Sequence, residues 1–372
     1  MTLLRTHFAA PFLQPKQHLQ AGAALLSAML TVTLVATFAS TALWQQFRSL
    51  EVETAERGRL QSGLILTGAL DWARLILRED ARTVGADHLA EPWAVPLEEA
   101  RLSSFLAVDG APTDTDRDAF LSGTITDMQG RLNVANLVEG SAKSESGVAS
   151  FQRLFSLLDL SPQALATLTE NYLAAANRAN LANQGAASLP GGSTGGTGGA
   201  TGLPLANASG NASGNAGAPD FLLPQRFEQL AWLGLDAETL ALLEPHISVL
   251  PSRTPVNLNT ASALVMAAST PGLDLAGAEK LVAARARKHF SSLVEAKQLV
   301  PDLEANFFEG QHSVTTRFFE VRGQLRLDQL TVLERSLVQR DVRLVRTLWR
   351  AREARSETSP NGPLTANPAT KP

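Results

Sequence analysis

The sequence predicts an α+β fold in which a long N-terminal helix packs on an antiparallel sheet and a large helical domain is inserted into that sheet. Three observations support this prediction. An uncharged apolar stretch continues into an amphipathic helical pattern, strand-like alternation occurs near residues 122–138 and again at 311–352, and the residues between follow a mostly helical pattern. Because strands on both sides of the helical block can share one sheet, we predict that residues 140–308 form an inserted α-domain.

The composition excludes several classes of chemistry. The chain has 372 residues, which is room for two or three modest domains, and a net charge of −4, so no global basic field attracts nucleic acid. It has no cysteine, which excludes disulfides, thiolate metal sites and cysteine nucleophiles. The six histidines lack H-E-x-x-H spacing, and neither a G-x-S-x-G elbow nor a Walker A motif is present. The sequence therefore predicts a protein that is not an enzyme.

Residues 23–44 are long and apolar enough to cross a membrane as a helix. No lysine, arginine, aspartate or glutamate occurs between Lys16 and Arg48, and a helix needs about 20 residues to span the hydrocarbon core. Basic residues precede the stretch, and glutamates follow it at positions 51, 53 and 56. The positive-inside tendency therefore places the N-terminus in the cytoplasm and the bulk of the chain outside. Small residues at 40–42 leave an ordinary secretory cleavage site open as an alternative.

The helix is predicted to continue past the membrane through residues 60–78. Apolar residues recur there at helical spacing in two neighbouring stripes, Ile65, Ala69, Trp72 and Ile76 beside Leu66, Leu70, Ala73 and Leu77. A third stripe is polar. Two prolines around Trp93 then end the helical pattern and indicate a chain that turns onto a sheet.

The next segments alternate between strand and helix patterns. Residues 122–138 predict a β-hairpin that turns at Gln129–Gly130. From about residue 147 to 183 the pattern is helical, with Ser161 as a cap and Pro162 in the first turn of a helix. Residues 185–219 are almost entirely Gly, Ser, Thr, Asn and Ala, a composition typical of a flexible loop.

A pair of short helices with a tight glycine turn is predicted within residues 254–290, after a helical pattern at 227–251. Asn259 or Thr260 should cap the first helix, Pro271–Gly272 should end it, and the second should begin near Ala276. Such a helix-hairpin-helix or SAM-like unit can bind DNA phosphates. The second helix carries basic residues, namely Lys280, Arg285, Arg287 and Lys288. Asp274, however, stands where phosphate-binding hairpins have a second glycine, so a structural or partner-binding role is favoured.

The C-terminal part returns to strands. Residues 311–352 alternate between apolar and polar side chains over several segments, which is typical of antiparallel strands with one wet face. Residues 356–372 are polar and rich in proline, which predicts a disordered tail.

The N-terminal region resembles the class III signal of type IV pilins and type II secretion pseudopilins. The letters "QAG" at 20–22 precede the apolar "AALLSAML". The resemblance implies that a prepilin peptidase cuts between Gly22 and Ala23 and that the new N-terminus is methylated. Most members carry a glutamate at mature position five, where this chain has Ser27. In the family that glutamate is thought to pair with the N-terminal amine of a neighbouring subunit, so its absence suits a subunit at the tip.

Two further stretches resemble the K-type minor pseudopilins of type II secretion (general secretion pathway protein K). These are "G-x-I-x-D-x-x-G-R-x-N" at 123–133 and "VNLNTA" at 256–261. The resemblance implies a pilin-like fold, processing by prepilin peptidase, an inner-membrane anchor, I- and J-type minor pseudopilins as partners, and no nucleic acid. It also allows Ca²⁺, whose ligands the sequence does not place. Asp114, Asp116 and Asp118 begin like a calcium loop, but Ala119 replaces the required glycine and Ile125 the closing glutamate.

The sequence thus yields one main hypothesis, a non-enzymatic minor pseudopilin at the tip of a type II secretion pseudopilus. Its alternatives are a minor pilin of a type IV pilus and a membrane-anchored DNA-binding protein. The expected domain division is a leader at 1–22, a transmembrane helix at 23–44, the pilin helix and first strands at 45–139, the inserted domain at 140–308 with its flexible loop at 185–219, C-terminal strands at 309–355, and a tail at 356–372.

Overall fold

A computed structural model describes residues 20–82, 85–102, 119–187, 221–300, 307–327, 330–341 and 344–356 of the chain. The chain divides into two compact units, residues 1–64 and residues 65–372. The predicted leader at 1–19, the acidic loop around 109–118, the glycine-rich loop at 188–219 and the tail from 357 onward lie outside the described residues.

In the first unit, the described residues form one helix. This helix, α1, spans Gln20–Asp80 and continues into the second unit. From residue 25 to residue 50 its large apolar side chains are exposed. It is the one helix in the described residues that is long and apolar enough to cross a membrane.

In the second unit, the described elements follow a fixed chain order. Its helices are α2 (Glu145–Leu157), α3 (Pro162–Ala187), α4 (Ala237–Leu243), α5 (Ala263–Ser269), α6 (Leu275–Arg287) and α7 (Leu293–Gln298). Its long strands are β1 (Leu97–Arg101), β2 (Ala119–Asp127), β9 (Phe318–Leu327), β10 (Leu330–Asp341) and β11 (Leu344–Ser356). Between β2 and β9 lie six two-residue strands, β3 (Leu132–Asn133), β4 (Val138–Glu139), β5 (Ala142–Lys143), β6 (Ile247–Ser248), β7 (Val256–Asn257) and β8 (His312–Ser313).

The long strands form one antiparallel sheet in the order β1-β2-β9-β10-β11. Strands β2 and β9 are neighbours in this sheet, although the whole helical block lies between them in sequence. The predicted α+β fold, with a helical insertion interrupting an antiparallel sheet, is therefore confirmed.

The C-terminal part of α1 packs on this sheet with the predicted face. Leu66, Leu70, Ala73 and Leu77 are all buried. Two of them lie against Phe319, Val321 and Val338 of the sheet. The neighbouring stripe is less buried, and Trp72 keeps 51% of its surface exposed. Trp93, in the 3₁₀ turn Pro92–Ala94 that precedes β1, closes the end of this core with its ring edge-on to Phe319 at 5.1 Å.

The insertion has a core of its own, made by α2, α3, α5 and α6 with the short strands. Its fully buried side chains include Phe151, Leu154, Phe155, Leu168, Val265 and Met266. The predicted helix start at Ser161–Pro162 is confirmed, because the backbone N–H of Gln163 donates to Ser161 Oγ at 3.3 Å. The segment predicted as helical at 227–251 contains a 3₁₀ helix, Phe227–Leu233, the short α4 and strand β6.

The β-hairpin predicted at residues 122–138 is wrong. Strand β2 ends at Asp127, a 3₁₀ turn follows at Met128–Gly130, and β3 pairs in parallel with β6 instead of folding back on β2. The Asp127 carboxylate accepts the backbone N–H of Gln129 at 2.7 Å, which fixes the turn. Both edges of β2 are already paired, with β1 and β9, so no edge is left for a hairpin partner.

The predicted cap of the first hairpin helix is also wrong. Ser262 caps α5 and accepts the backbone N–H of Val265, whereas Asn259 and Thr260 were predicted for this role. Both predicted residues are engaged elsewhere. The side chain of Asn259 exchanges two hydrogen bonds with the backbone of Phe290, and the hydroxyl of Thr260 donates to a distant carboxylate. The second helix begins at Leu275, one residue from the predicted start.

Two glycines on helices should respond oppositely to alanine. In α2, a Cβ on Gly147 would lie 1.9 Å from the carbonyl oxygen of Asn136, so helix and turn must separate. We expect Gly147→Ala to lower the free energy of unfolding by about 1–3 kcal/mol. On exposed Gly68 of α1 a Cβ meets nothing within 4 Å, so Gly68→Ala should raise it by about 0.5–1 kcal/mol. Urea unfolding of the full chain in detergent measures both, and equal effects would contradict the close packing at Gly147.

Candidate assembly surface and buried polar junction

The residues predicted for processing and assembly lie in the first turns of α1. The helix begins at Gln20, so it includes Gly22 and Ala23. Ser27 is exposed, and its hydroxyl donates to the carbonyl oxygen of Ala24 at 2.9 Å. A side chain that is uncharged and bonded to its own helix offers no carboxylate to a neighbouring amine. The roles of these three residues in cleavage and assembly stay predictions.

The apolar stretch of α1 satisfies its own polar groups. Its Ser and Thr hydroxyls donate to carbonyl oxygens three or four residues earlier at 2.8–3.0 Å, from Thr31, Thr33, Thr37, Ser40 and Thr41. Hydrocarbon supplies no hydrogen-bond partners, so a spanning segment must satisfy its polar groups internally. Residues 23–44, at about 1.5 Å per residue, also have the length of a bilayer core. This stretch is therefore suited to be a membrane anchor.

A buried carboxylate ties the sheet to the insertion. Asp127, at the end of β2, accepts hydrogen bonds from four groups: the Thr316 and Thr260 hydroxyls at 2.6 Å each, the Asn257 amide at 2.9 Å and the Gln129 backbone N–H at 2.7 Å. Burial raises the pKa of Asp127, although the four hydrogen bonds oppose this. The donors come from the turn after β2, from β7 and the loop after it, and from the start of β9's segment, so one side chain fixes three regions of the chain.

A buried arginine extends this junction to the end of α1. Arg340 of β10 donates to Asp80 Oδ2 at 2.5 Å, to Asp87 Oδ1, and to the carbonyl oxygen of Thr316 at 2.9 Å. Asp87 also accepts the backbone N–H of Thr316 at 2.7 Å. Burial raises the pKa of the Asp87 carboxyl and the neighbouring guanidinium lowers it, with burial the larger effect. We call Asp80, Asp87, Asp127, Thr316 and Arg340 the polar junction.

The polar junction was not predicted from the sequence. Two resemblance motifs contain parts of it, since Asp127 lies in the 123–133 pattern and Asn257 in "VNLNTA", but neither motif says which residues meet. The one available signal was a charged residue on the apolar face of a strand, as with Arg340 in β10. Such a residue needs a buried partner, yet the sequence does not show that the partners are Asp80 and Asp87.

A cluster of carboxylates at this junction does not fit a calcium site. Asp80, Asp87 and Glu91 bring ligand oxygens within 4.8 Å of one another. However, the Arg340 guanidinium already lies against the first two, and Glu91 Oε2 accepts from His88 N and Trp93 Nε1 at 2.8 Å each. Calcium requires six to eight oxygen ligands, and a cation in the same place excludes it. Asp114, Asp116 and Asp118 lie outside the described residues.

The helix pair α5–α6 is arranged unfavourably for phosphate. Gly272 has φ +75° in the turn, and Asp274 Oδ1 accepts the backbone N–H of Gly277 at 2.8 Å. A carboxylate therefore occupies the helix N-terminus, where an anion would bind. Among the basic residues of α6, Arg285 turns inward and donates to the carbonyl oxygen of Leu258, and burial lowers its pKa to about 10. Lys280, Arg287 and Lys288 remain exposed.

A buried histidine in the insertion gives the fold a predicted sensitivity to acid. His312 Nδ1 accepts the backbone N–H of Phe308 at 3.2 Å, so the ring proton lies on Nε2, which donates to Thr270 Oγ1 at 3.0 Å. Burial lowers the pKa of His312 to about 4. The unfolded chain therefore binds a proton below about pH 6.5 that the folded chain refuses until about pH 4.

The free energy of unfolding should fall as the pH drops through this window, by up to about 3 kcal/mol from His312 alone. In His312→Gln the pH dependence between 6.5 and 4 should be correspondingly shallower than in wild type. His289→Gln, at a mostly solvated histidine, is the control and should leave the slope nearly unchanged. Urea titrations at several pH values measure this, and identical slopes in wild type and His312→Gln would contradict the assignment.

Comparisons with known proteins agree with this architecture. Two profiles of the family described as "Type II secretion system (T2SS), protein K" match residues 130–252 and 256–315. A curated relative, "Type II secretion system protein K" of Pseudomonas aeruginosa strain PAO1, is 26% identical over 331 residues, which is 86% of this chain and 88% of the relative. Together the matches cover the helical insertion and extend over most of the chain.

A solved structure shares the fold. It is a chain of the crystal structure of the GspK-GspI-GspJ complex from the type 2 secretion system of enterotoxigenic Escherichia coli. The TM-score is 0.51 at 15% identity, over 81% of this chain and 99% of that chain. The predicted pilin-like arrangement, a long helix on an antiparallel sheet with a helical insertion, is thereby confirmed. The chain therefore belongs to the protein K family of minor pseudopilins of the type II secretion system.

Proposed function

We propose that this protein is a non-enzymatic subunit at the tip of a type II secretion pseudopilus, needed for pseudopilus assembly and for export of folded proteins across the outer membrane. The observation that carries the proposal is the union, in one chain of this family, of an exposed apolar helix with a sheet-bound continuation and a helical insertion. Such a chain acts through packing and surface contact. Its best-defined buried polar cluster is used to hold the fold together.

The proposal includes processing and topology. Prepilin peptidase would cut between Gly22 and Ala23, and the new N-terminus would be methylated. Residues 23–44 would hold the chain in the inner membrane as a single span, with the N-terminus cytoplasmic and the bulk periplasmic. The charges flanking the apolar stretch support this orientation. Ser27, in place of an acidic residue, supports a subunit above which no other is stacked.

The proposed partners are the I- and J-type minor pseudopilins of the same secretion system. The related chain of known fold was solved in complex with GspI and GspJ, which supports a tip complex of the same kind here. The proposed domain division follows the sequence expectation, with the insertion at 140–308 placed between the pilin helix with its first strands and the C-terminal strands.

The function is tested by deleting the gene in its own host and complementing it. We expect the deletion to abolish release of type II substrates into the medium, and the wild-type gene to restore it. Detergent-solubilised protein should co-purify with the I- and J-type pseudopilins. Normal secretion in the deletion strain, together with loss of a type IV pilus, would favour the pilin alternative instead.

DNA binding remains the second candidate, because three exposed cations lie on α6. Asp274 at the helix N-terminus and the inward Arg285 weigh against it. We expect the full chain to bind no duplex DNA at low salt. Salt-dependent binding that Lys280→Glu weakens would support the DNA-binding alternative.

A further inference from the structure

The outer edge of strand β11 is unpaired in the part of the chain that the structure describes. The strand lies at the end of the sheet and pairs with β10 alone. A bulge leaves Leu348 without a partner, and residues 349–356 then pair regularly with β10. An edge of this length presents free backbone N–H and C=O groups, to which an extended segment of another protein can add as a strand.

A groove of about 400 Å³ lies beside this edge, between β10–β11 and the 3₁₀ helix Phe227–Leu233. Trp349 lines the groove from β11 and Trp232 from the 3₁₀ helix, where Trp232 keeps 55% of its surface exposed. Two tryptophans that line one groove offer a binding place for an apolar or aromatic side chain.

Two buried N–H donors of this groove have no acceptor among the described residues. They are Nε1 of Trp349 and Nε of Arg335. The other two nitrogens of Arg335 are used, since Nη1 donates to Glu228 at 2.7 Å and Nη2 to Glu320 at 2.9 Å. A buried donor without an acceptor is costly, so the groove is suited to a ligand that brings a carbonyl or carboxylate oxygen.

The charge of this region opposes that of the whole chain. Residues 318–356 contain nine arginines and five acidic residues, although the chain as a whole has a net charge of −4. Next to the edge, one buried carboxylate, Glu334, is shared by Arg350 and Arg352. Arg346, also on β11, is exposed. An acidic partner complements this surface, and a basic one is repelled.

We infer that the β11 edge and its groove dock an acidic, extended segment of a partner pseudopilin, an inference that rests on the proposed function. The segment adds a sixth strand beside residues 349–356 and inserts an apolar side chain between the two tryptophans. Its oxygen accepts from Trp349 Nε1 and Arg335 Nε. A second copy of this chain is disfavoured, because antiparallel pairing of two β11 strands sets arginines near arginines. Residues 357–372 contain four prolines, which lack the N–H that a ladder needs.

Hydrogen exchange of the full chain in detergent tests the inference, with and without the purified I- and J-type pseudopilins of the same host. We expect the amides of residues 349–356 to exchange at least about tenfold more slowly in the complex. A stable complex with no slowing at β11 overturns the inference and leaves the proposed function intact. Slowing that depends on the concentration of this chain alone identifies a second copy as the occupant and also overturns it. Absence of any complex counts against the proposed function itself.

Matched variants locate the contact. Trp232→Ala should weaken the complex by about tenfold, whereas Trp72→Ala, at an equally exposed tryptophan on α1, should change it less than about twofold. Trp349→Phe keeps a ring and removes the N–H, so it should cost about 2–10-fold. Arg346→Glu should weaken binding and flatten its salt dependence, and Lys280→Glu is the control for charge reversal. The reverse order, with Trp72→Ala the more damaging, would place the partner on α1 and contradict the inference.

Discussion

Arg340→Met should destabilise the fold by about 3–5 kcal/mol, because it leaves two buried carboxylates without their counter-charge. Arg340 contacts both Asp80 and Asp87, and the side chains of all three are about 90% buried or more. Methionine fills part of the space but supplies no donor. The midpoint of urea unfolding of the full chain in detergent, followed by tryptophan fluorescence, measures the loss.

The control for this prediction is Arg82→Met. Arg82 forms an exposed ion pair with Glu79 at 2.6 Å, and pairs of this kind contribute about 0.5 kcal/mol or less. In the Arg340 variant the loss should shrink as the pH falls toward 4, because the stranded carboxylates can then bind protons. A loss below 1 kcal/mol, or one independent of pH, would show that the polar junction does not hold these charges in a buried site.

Gly22→Leu should leave the chain uncleaved and reduce secretion to the level of the deletion strain. A prepilin peptidase that cuts after a glycine must accommodate the residue at that position, and a leucine side chain fills the space that glycine leaves. Intact mass of protein extracted from membranes of its own host measures the outcome. Wild-type protein should begin at a methylated Ala23, and the variant should keep residues 1–22.

Gly68→Leu is the matched control on the same helix. A Cβ at Gly68 meets nothing within 4 Å, so the same substitution there should leave cleavage and secretion unchanged. A wild-type chain that begins near Leu43 would identify an ordinary secretory cleavage. A start at Met1 would leave a simple anchor and remove the basis for the Gly22 prediction.

The elements with strong local periodicity could be predicted from the sequence. The stripe Leu66, Leu70, Ala73 and Leu77 is buried as the spacing indicated, and the three C-terminal strands form where alternation was strongest. In both cases the decisive information is the repeat of apolar residues along a short segment, which reflects the side of the element that meets the core.

The failures occurred where distant residues decide. The segment after Asp127 alternates like a hairpin, but β2 is already paired on both edges and β3 joins β6, more than a hundred residues later. Asn259 and Thr260 are good caps by type, yet Phe290 and Asp127 engage them. The polar junction has the same origin, since Asp87 and Arg340 are separated by 253 positions. No local pattern encodes such a pairing.

The placement of the insertion between two neighbouring strands has a consequence for how the protein folds. Strands β2 and β9 pair residues that lie roughly 200 positions apart, so the contact order of the sheet is high and loop closure opposes its formation. The insertion, with its own apolar core, can form beforehand and bring its two ends together. We therefore expect the chain to fold from the inside outward: the insertion acts as the template, and the sheet closes last, once residues beyond 318 have crossed the membrane.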